Sequence, residues 1–375
     1  MDFSPQQDWA LREAGKWLKS ADRQVFRLFG YAGTGKTTLA RHLAEGVDGD
    51  VLFAAFTGKA AQVLRSRGAR GASTIHSLIY RPRGEEVVSD TETGVTSLAP
   101  TFSLNRQSPL AKAKLIIIDE CSMVDEELGR DLLSFGTPVL VLGDPGQLPP
   151  ISGGGFFTEH EPDVLLEEVH RQARDNPIID LAQTVREGRE IKIGEYGSTA
   201  KVIDKSQVTA ETVLDADQVL VGTNRTRRRY NNRLRELKGL EGLLPVAGDK
   251  LVCLRNDTAK GLLNGSLWQV TSAPRTVKSA MNLLIRSEDE GIERVSARVK
   301  VLKAVFEEPD VEIPWQLKRR HDDFDFGYAL TVHKAQGSQW NDIVLFDESW
   351  AFREHRARWL YTAITRAAER LTIVR

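Results

Sequence analysis

Cysteine is scarce. The 375-residue chain holds two, Cys121 and Cys253, too few for a disulfide framework and without the close Cys/His spacing of a metal site. A reducing, cytoplasmic setting is the expectation. Long apolar runs are missing too: stretches such as 115–118 and 139–142 fall far short of the roughly 20 residues that cross a bilayer. The first 17 residues mix charges with aromatics where a secretory leader needs an apolar block. Neither sign of charge dominates, since 51 Lys and Arg face 52 Asp and Glu for a net of −1. That balance argues against a basic coat binding polyanions over the whole surface, and leaves local patches open. Repeats and low-complexity tracts are absent. What remains, 41% hydrophobic and 27% charged, is an ordinary globular composition. The length exceeds what one core usually organises, so two or more domains are expected.

The first half alternates short apolar strands (25–29, 51–55, 115–118, 139–142) with amphipathic helices, the pattern of a parallel α/β sheet. Each strand ends at Gly, Thr or Asp, and ligands of such sheets sit beyond the carboxyl ends. The second half repeats the style. Asn176 and Pro177 pair as N-cap and first helical residue, with an apolar stripe at Ile178, Leu181, Ala182 and Val185 before Gly188. A strand at 218–221 leads into a helix at 225–238; near the end, a strand at 343–346, a helix at 357–370 and a strand at 371–374 follow. Two stretches break the alternation. Residues 81–108 read as a hairpin around an acidic turn at 92–94. Residues 241–326 read as a small β-domain, with Asn264-Gly265 turning between apolar runs.

Gly30-Tyr31-Ala32-Gly33-Thr34-Gly35-Lys36-Thr37 stands between a strand and a helix and fits the phosphate-binding loop G-x-x-x-x-G-K-[ST]. Its glycines let backbone N–H groups turn inward on phosphate oxygens, and the helix N-terminus adds partial positive charge. Lys36 is placed to reach the β- and γ-phosphates, and the Thr37 hydroxyl to ligate Mg²⁺. A second apolar strand ends in Asp119-Glu120. Beside a phosphate loop this pair reads as a carboxylate for Mg²⁺ and a carboxylate that orients or deprotonates the attacking water. The two motifs predict an NTPase without saying what hydrolysis drives.

Over nearly its whole length the chain resembles the RecD/Dda-like helicases of superfamily 1. Gln7, followed by Ala10-Leu11, resembles the adenine-reading glutamine of that family, with Gln6 adjacent as the other choice. Phe56-Thr57-Gly58-Lys59 and Thr74-Ile75-His76-Ser77 resemble motifs Ia and Ib. Gly143-Asp144-Pro145-Gly146-Gln147-Leu148-Pro149-Pro150 resembles motif III, whose glutamine senses the γ-phosphate. His170-Arg171-Gln172 resembles motif IV, and Tyr361-Thr362-Ala363-Ile364-Thr365-Arg366 motif VI. Thr331-Val332-His333-Lys334-Ala335-Gln336-Gly337-Ser338-Gln339 resembles motif V, except that Gln339 stands where the family usually has Glu.

The resemblance implies an α/β fold of two RecA-like lobes with parallel sheets. Residues 1–80 and 103–155 would form the first lobe around a hairpin pin at 81–102. Residues 156–240 and 327–375 would form the second lobe around an SH3-like module at 241–326. It implies ATP and Mg²⁺ as cofactors. Lys36, Glu120, Gln147, Arg171 and Arg366 would act in catalysis; Gln7, Gly33, Thr34, Gly35, Lys36, Thr37, Thr38, Gly337 and Gln339 would hold the nucleotide; Thr37 and Asp119 would hold the metal. Thr57, Lys59, Thr74, His76, Phe102, Asn224, Thr331 and His333 would contact DNA, Phe102 being equally suited to the core. The implied activity is a monomeric, ATP-dependent 5′-to-3′ helicase acting on single-stranded and forked DNA, with no membrane partner. An ATPase that moves on or clears DNA without robust unwinding, and a small-molecule phosphotransferase, are the rivals. The basic run at 225–238 fits a solvated helix face or a phosphate-tracking surface equally.

Overall fold

The computed structural model describes residues 3–89, 96–149, 155–168, 175–257, 259–288, 296–308 and 311–375. In chain order, the first lobe runs α1 (Pro5–Ser20), β1 (Val25–Gly30), α2 (Lys36–Glu45), β2 (Val51–Ala55), α3 (Gly58–Ser66), β3 (Ser73–Thr74) and α4 (Ile75–Ile79). The hairpin β4 (Tyr80–Ser89) and β5 (Thr96–Leu104) follows, then β6 (Leu115–Asp119), α5 (Glu126–Leu133), β7 (Val139–Gly143) and β8 (Val164–Leu166). The sheet order is β3-β2-β6-β7-β1-β8, parallel throughout. The run 115–118 is apolar at every residue because both faces of this sheet are covered. Leu115 and Ile117 enter one core with Phe26, Leu28, Leu140 and Leu142. Ile116 and Ile118 enter the other with Val139 and Val141.

The second lobe holds α6 (Pro177–Arg186), β9 (Gly194–Tyr196), β10 (Ala200–Ile203), α7 (Ala210–Leu214), β11 (Gln218–Val221) and α8 (Asn224–Leu237). An inserted domain follows: β12 (Lys250–Cys253), β13 (Leu267–Val270), β14 (Arg275–Val277), β15 (Ala280–Ser287), β16 (Ser296–Leu302), α9 (Ala304–Glu307), α10 (Trp315–Arg319) and β17 (Phe324–Phe326). The lobe resumes with β18 (Ala329–Thr331), β19 (Trp340–Phe346), α11 (Arg356–Ile364) and β20 (Ala367–Val374). Its sheet order is β18-β11-β19-β20-β10-β9, parallel except at β9. The inserted domain is a separate antiparallel sheet.

Three boundaries differ from expectation. The first lobe extends past residue 155, because Val164–Leu166 pairs in parallel with β1. The expected 357–370 helix ends at Ile364, since Ala367–Val374 joins β19 as an edge-to-edge partner from Trp340↔Ala367 onward. Arg366 therefore lies in a tight helix-to-strand turn. Asn264-Gly265 does not join two strands: Leu262 makes only an isolated bridge to Asp257, and the antiparallel partner of β13 is β12. The expected turn at 92–94 lies outside the described residues, as do Pro150 and the whole of His170-Arg171-Gln172.

Candidate functional site

The carboxyl ends of β1, β6 and β7 open into a cleft of about 310 Å³, closed from the other side by the second lobe. Gly33, Gly35, Lys36, Thr37 and Thr38 line it with Asp119, Glu120, Asp144 and Gln147 from the first lobe, and Gly337, Gln339, Thr365 and Arg366 from the second. Gly33 and Gly35 have φ of 78° and 81°, a left-handed backbone natural to glycine. It lets the loop close before α2 begins. Lys36 Nζ donates to the carbonyls of Gly30 and Tyr31, folded back on the loop whose phosphates it is expected to meet. Thr34 is fully buried in the loop, its hydroxyl donating to Tyr31 O at 2.8 Å.

Thr37 Oγ1 donates to Asp119 Oδ2 at 3.1 Å, and the Glu120 N–H to Asp119 Oδ1 at 2.9 Å. Burial, reinforced by Glu120, raises the Asp119 carboxyl above the usual carboxylate range. A buried acid beside a hydroxyl, short of positive charge, suits a hard divalent cation that takes its other oxygens from phosphates and water. No cluster of three or more His, Cys, Asp or Glu that could hold a metal alone occurs among the described residues.

Glu120 has φ 53°, an unusual left-handed conformation for a residue with a side chain. It turns the carboxylate across the cleft. Arg366 Nη1 stands 3.5 Å from Glu120 Oε1. In the amide orientation that satisfies both neighbours, Gln147 donates to Glu120 Oε2 at 2.9 Å and accepts from Arg366 Nη2 at 3.3 Å. The guanidinium is fixed by the carbonyls of Thr362 and Ser338. Glu120, Gln147 and Arg366 thus meet, two from one lobe and one from the other. Gln339 accepts from Arg67 Nη2 of the first lobe at 2.7 Å. Gly337, φ 75°, lies against Ala60 and Thr57.

Gln7 stands apart from this cleft. Its Oε1 accepts from Ser4 N–H and its Nε2 donates to Thr34 O at 3.0 Å, so it caps α1 and braces the phosphate loop. Gln6 instead clasps the end of β8 through Leu165, Glu167 and Glu168.

The expected DNA residues fall into groups. His76 and Phe102 pack edge-to-face at 4.5 Å at the hairpin base, and Phe102 is 44% exposed. Thr57 and Thr74 cap α3 and α4 by accepting from Ala60 N–H and Ser77 N–H. Lys59 is buried, 9% exposed, rather than presented to solvent. Asn224 is exposed at the start of α8. Thr331 is buried and accepts from Lys334 N–H. His333 packs on Phe352, which stacks on Trp359. Burial lowers both His76 and His333 below the usual imidazole range.

Sequence reasoning assigned no role to Asp144, Tyr361 or Arg67. The first two lie inside the motif strings; Arg67 carried no local signal, because its partner is 272 residues away.

Residues 3–207 match the model of an AAA domain, and 326–374 that of the UvrD-like helicase C-terminal domain. The ATP-dependent RecD2 DNA helicase of Deinococcus radiodurans is 29% identical over 98% of this chain and 51% of its own length. The ATP-dependent DNA helicase dda of Enterobacteria phage T4 is 33% identical over 43% of this chain and 37% of its own. The chain thus spans about half or less of these relatives. Among solved structures, a Bacteroides Pif1 helicase in complex with ADP-AlF3 and ssDNA aligns with all of this chain and 92% of its own at a TM-score of 0.59 and 19% identity, a likeness of fold.

Proposed function

The chain belongs to the AAA-domain family, and we propose that it is a superfamily 1 helicase of the RecD, Pif1 and Dda type, an ATP-dependent DNA helicase moving 5′-to-3′ on single strands. The observation that carries this reading is the meeting of Glu120, Gln147 and Arg366 across the cleft. A phosphotransferase acting on a small molecule has no use for a sensor glutamine bonded to a second lobe's arginine. A motor needs that coupling, because hydrolysis must depend on the relative position of the lobes.

In this reading ATP lies on the phosphate loop; Thr37 and Asp119 would hold Mg²⁺, which would supply positive charge against the phosphates. Lys36 leaves the carbonyls of Gly30 and Tyr31 to meet phosphate oxygens. Glu120 orients the water and accepts its proton, while Arg366 faces the charge that develops on the γ-phosphate. Gln7 reads adenine with the second N–H of Nε2, the first being held by Thr34 O. Thr57, Thr74, His76 and Phe102 on one lobe, with Asn224 and His333 on the other, form the strand path, while Lys59 and Thr331, buried in this structure, lie beneath the surface. The hairpin splits the duplex, and the inserted sheet serves as the SH3-like module behind it.

ATP turnover measured with and without single-stranded DNA tests this. The expected result is stimulation of many fold, abolished in Lys36→Ala while DNA binding persists. Turnover indifferent to DNA overturns the reading.

A further inference from the structure

Tyr361 projects from α11 of the second lobe and is 2% exposed. Its hydroxyl donates to Asp144 Oδ2 at 2.8 Å and accepts from the Ala32 N–H at 2.8 Å. One phenol oxygen thus joins the phosphate loop to the loop after β7. The next residue adds a second tie, as Thr362 Oγ1 accepts from Leu148 N–H at 2.9 Å. Gln336 adds a third by donating to Leu148 O at 3.2 Å. The Arg186 guanidinium of α6 also lies 3.6 Å over the Tyr31 ring, a further second-lobe group seated on the phosphate loop.

Gln147 is thereby bracketed. Asp144, before it, is held by Tyr361 and by Gly146 N–H at 2.9 Å; Leu148, after it, is held by Thr362 and Gln336. Arg366 lies five residues beyond Tyr361, just past the end of α11.

We propose that Tyr361 is a positioning residue for hydrolysis: its hydroxyl latches the second lobe to Ala32 and Asp144 at once and thereby sets Gln147 between Glu120 and Arg366. The latch rests on the helicase reading for its kinetic consequence, but not for its existence. Phenylalanine fills the same volume and leaves the buried Asp144 Oδ2 and the part-buried Ala32 N–H without their partner.

Two measurements on the full chain test it. In nucleotide-free protein, the Ala32 amide is expected to exchange with deuterium much faster in Tyr361→Phe than in the wild type, while amides within α2 keep their rates. Unchanged Ala32 exchange overturns the latch. In DNA-stimulated hydrolysis, Tyr361→Phe is expected to lose about tenfold in kcat, the effect of one such bond lost from the transition state, with KM for ATP within about twofold. Unchanged kcat, or a loss confined to KM, overturns the positioning role. Asp144→Ala breaks the same latch from its other side and should give the same kcat loss; the double variant should lose no more than either alone, and multiplied losses count against the proposal. A wild type without DNA-stimulated turnover defeats the helicase reading, while Ala32 exchange still decides the latch.

Discussion

At the scale of residues, the chemistry concentrates where local geometry is least ordinary. Glu120 holds φ 53°, a conformation costing about 1–3 kcal/mol in a residue with a side chain. What offsets it is the contact of its carboxylate with Arg366 and Gln147. On the proposed function, removing Arg366 has two consequences: the developing phosphoryl charge loses its cation, and Glu120 loses its counter-charge. Arg366→Ala is therefore expected to keep ATP binding and lose on the order of 10³-fold or more in kcat, read by steady-state turnover at saturating ATP and DNA. An unchanged kcat removes Arg366 from catalysis. Lys36, Thr37, Asp119 and Glu120 were legible because each sits in a contiguous string tied to a strand end. The Tyr361–Asp144 bond was not, since it joins residues 217 apart and no local pattern encodes such a pairing. Cys121, buried under the same site, has a thiol pushed up by that burial, which disfavours the reactive thiolate.

At the scale of elements, α8 resolves the ambiguity of the basic run. Two of its arginines are structural. Arg227 pairs with Asp325 at 2.7 Å. Arg235 holds Asp249 by two bonds of 2.8 and 2.9 Å, with both side chains nearly inaccessible. Asp249 also accepts from Tyr328 OH and Val246 N–H, so the network fastens the inserted sheet to the second lobe. Arg225 and Arg229 remain exposed and available to phosphates. Breaking a buried pair from one side strands a charge. Asp249→Ala is therefore expected to lose about 3–5 kcal/mol of stability, read as a lower urea midpoint; a loss under about 1 kcal/mol contradicts this account. Strand positions were legible because buried parallel strands are apolar throughout. The end of α11 was not, because alanines and arginines at 366–370 suit a helix equally, and only pairing with β19 draws them into β20.

At the scale of the whole molecule, the carboxyl ends of the first lobe's parallel sheet open into one cleft, which the second lobe closes with residues just before β19 and β20, Gly337, Gln339, Thr365 and Arg366. The sequence pattern revealed both sheets; it could not reveal how far lobe one reaches, because the three residues of β8 are recognisable only by their pairing with β1. The near-neutral net charge of −1 conceals a local division. Exposed bases sit at the start of α8, and carboxylates are gathered in the cleft. On the proposed function, such a surface grips a strand at few phosphates. Log affinity for oligo-dT against log salt is expected to have a shallow slope, about −0.7 per phosphate contacted; a steep slope of many contacts indicates a polyanion coat instead. The central claim is that closure of the cleft drives directed motion that opens a duplex. Unwinding of matched forked duplexes bearing a single 5′ or a single 3′ tail tests it most directly. The account predicts ATP-dependent opening of the 5′-tailed fork and none of the 3′-tailed one; opening of neither fork, or of the 3′-tailed fork alone, contradicts it.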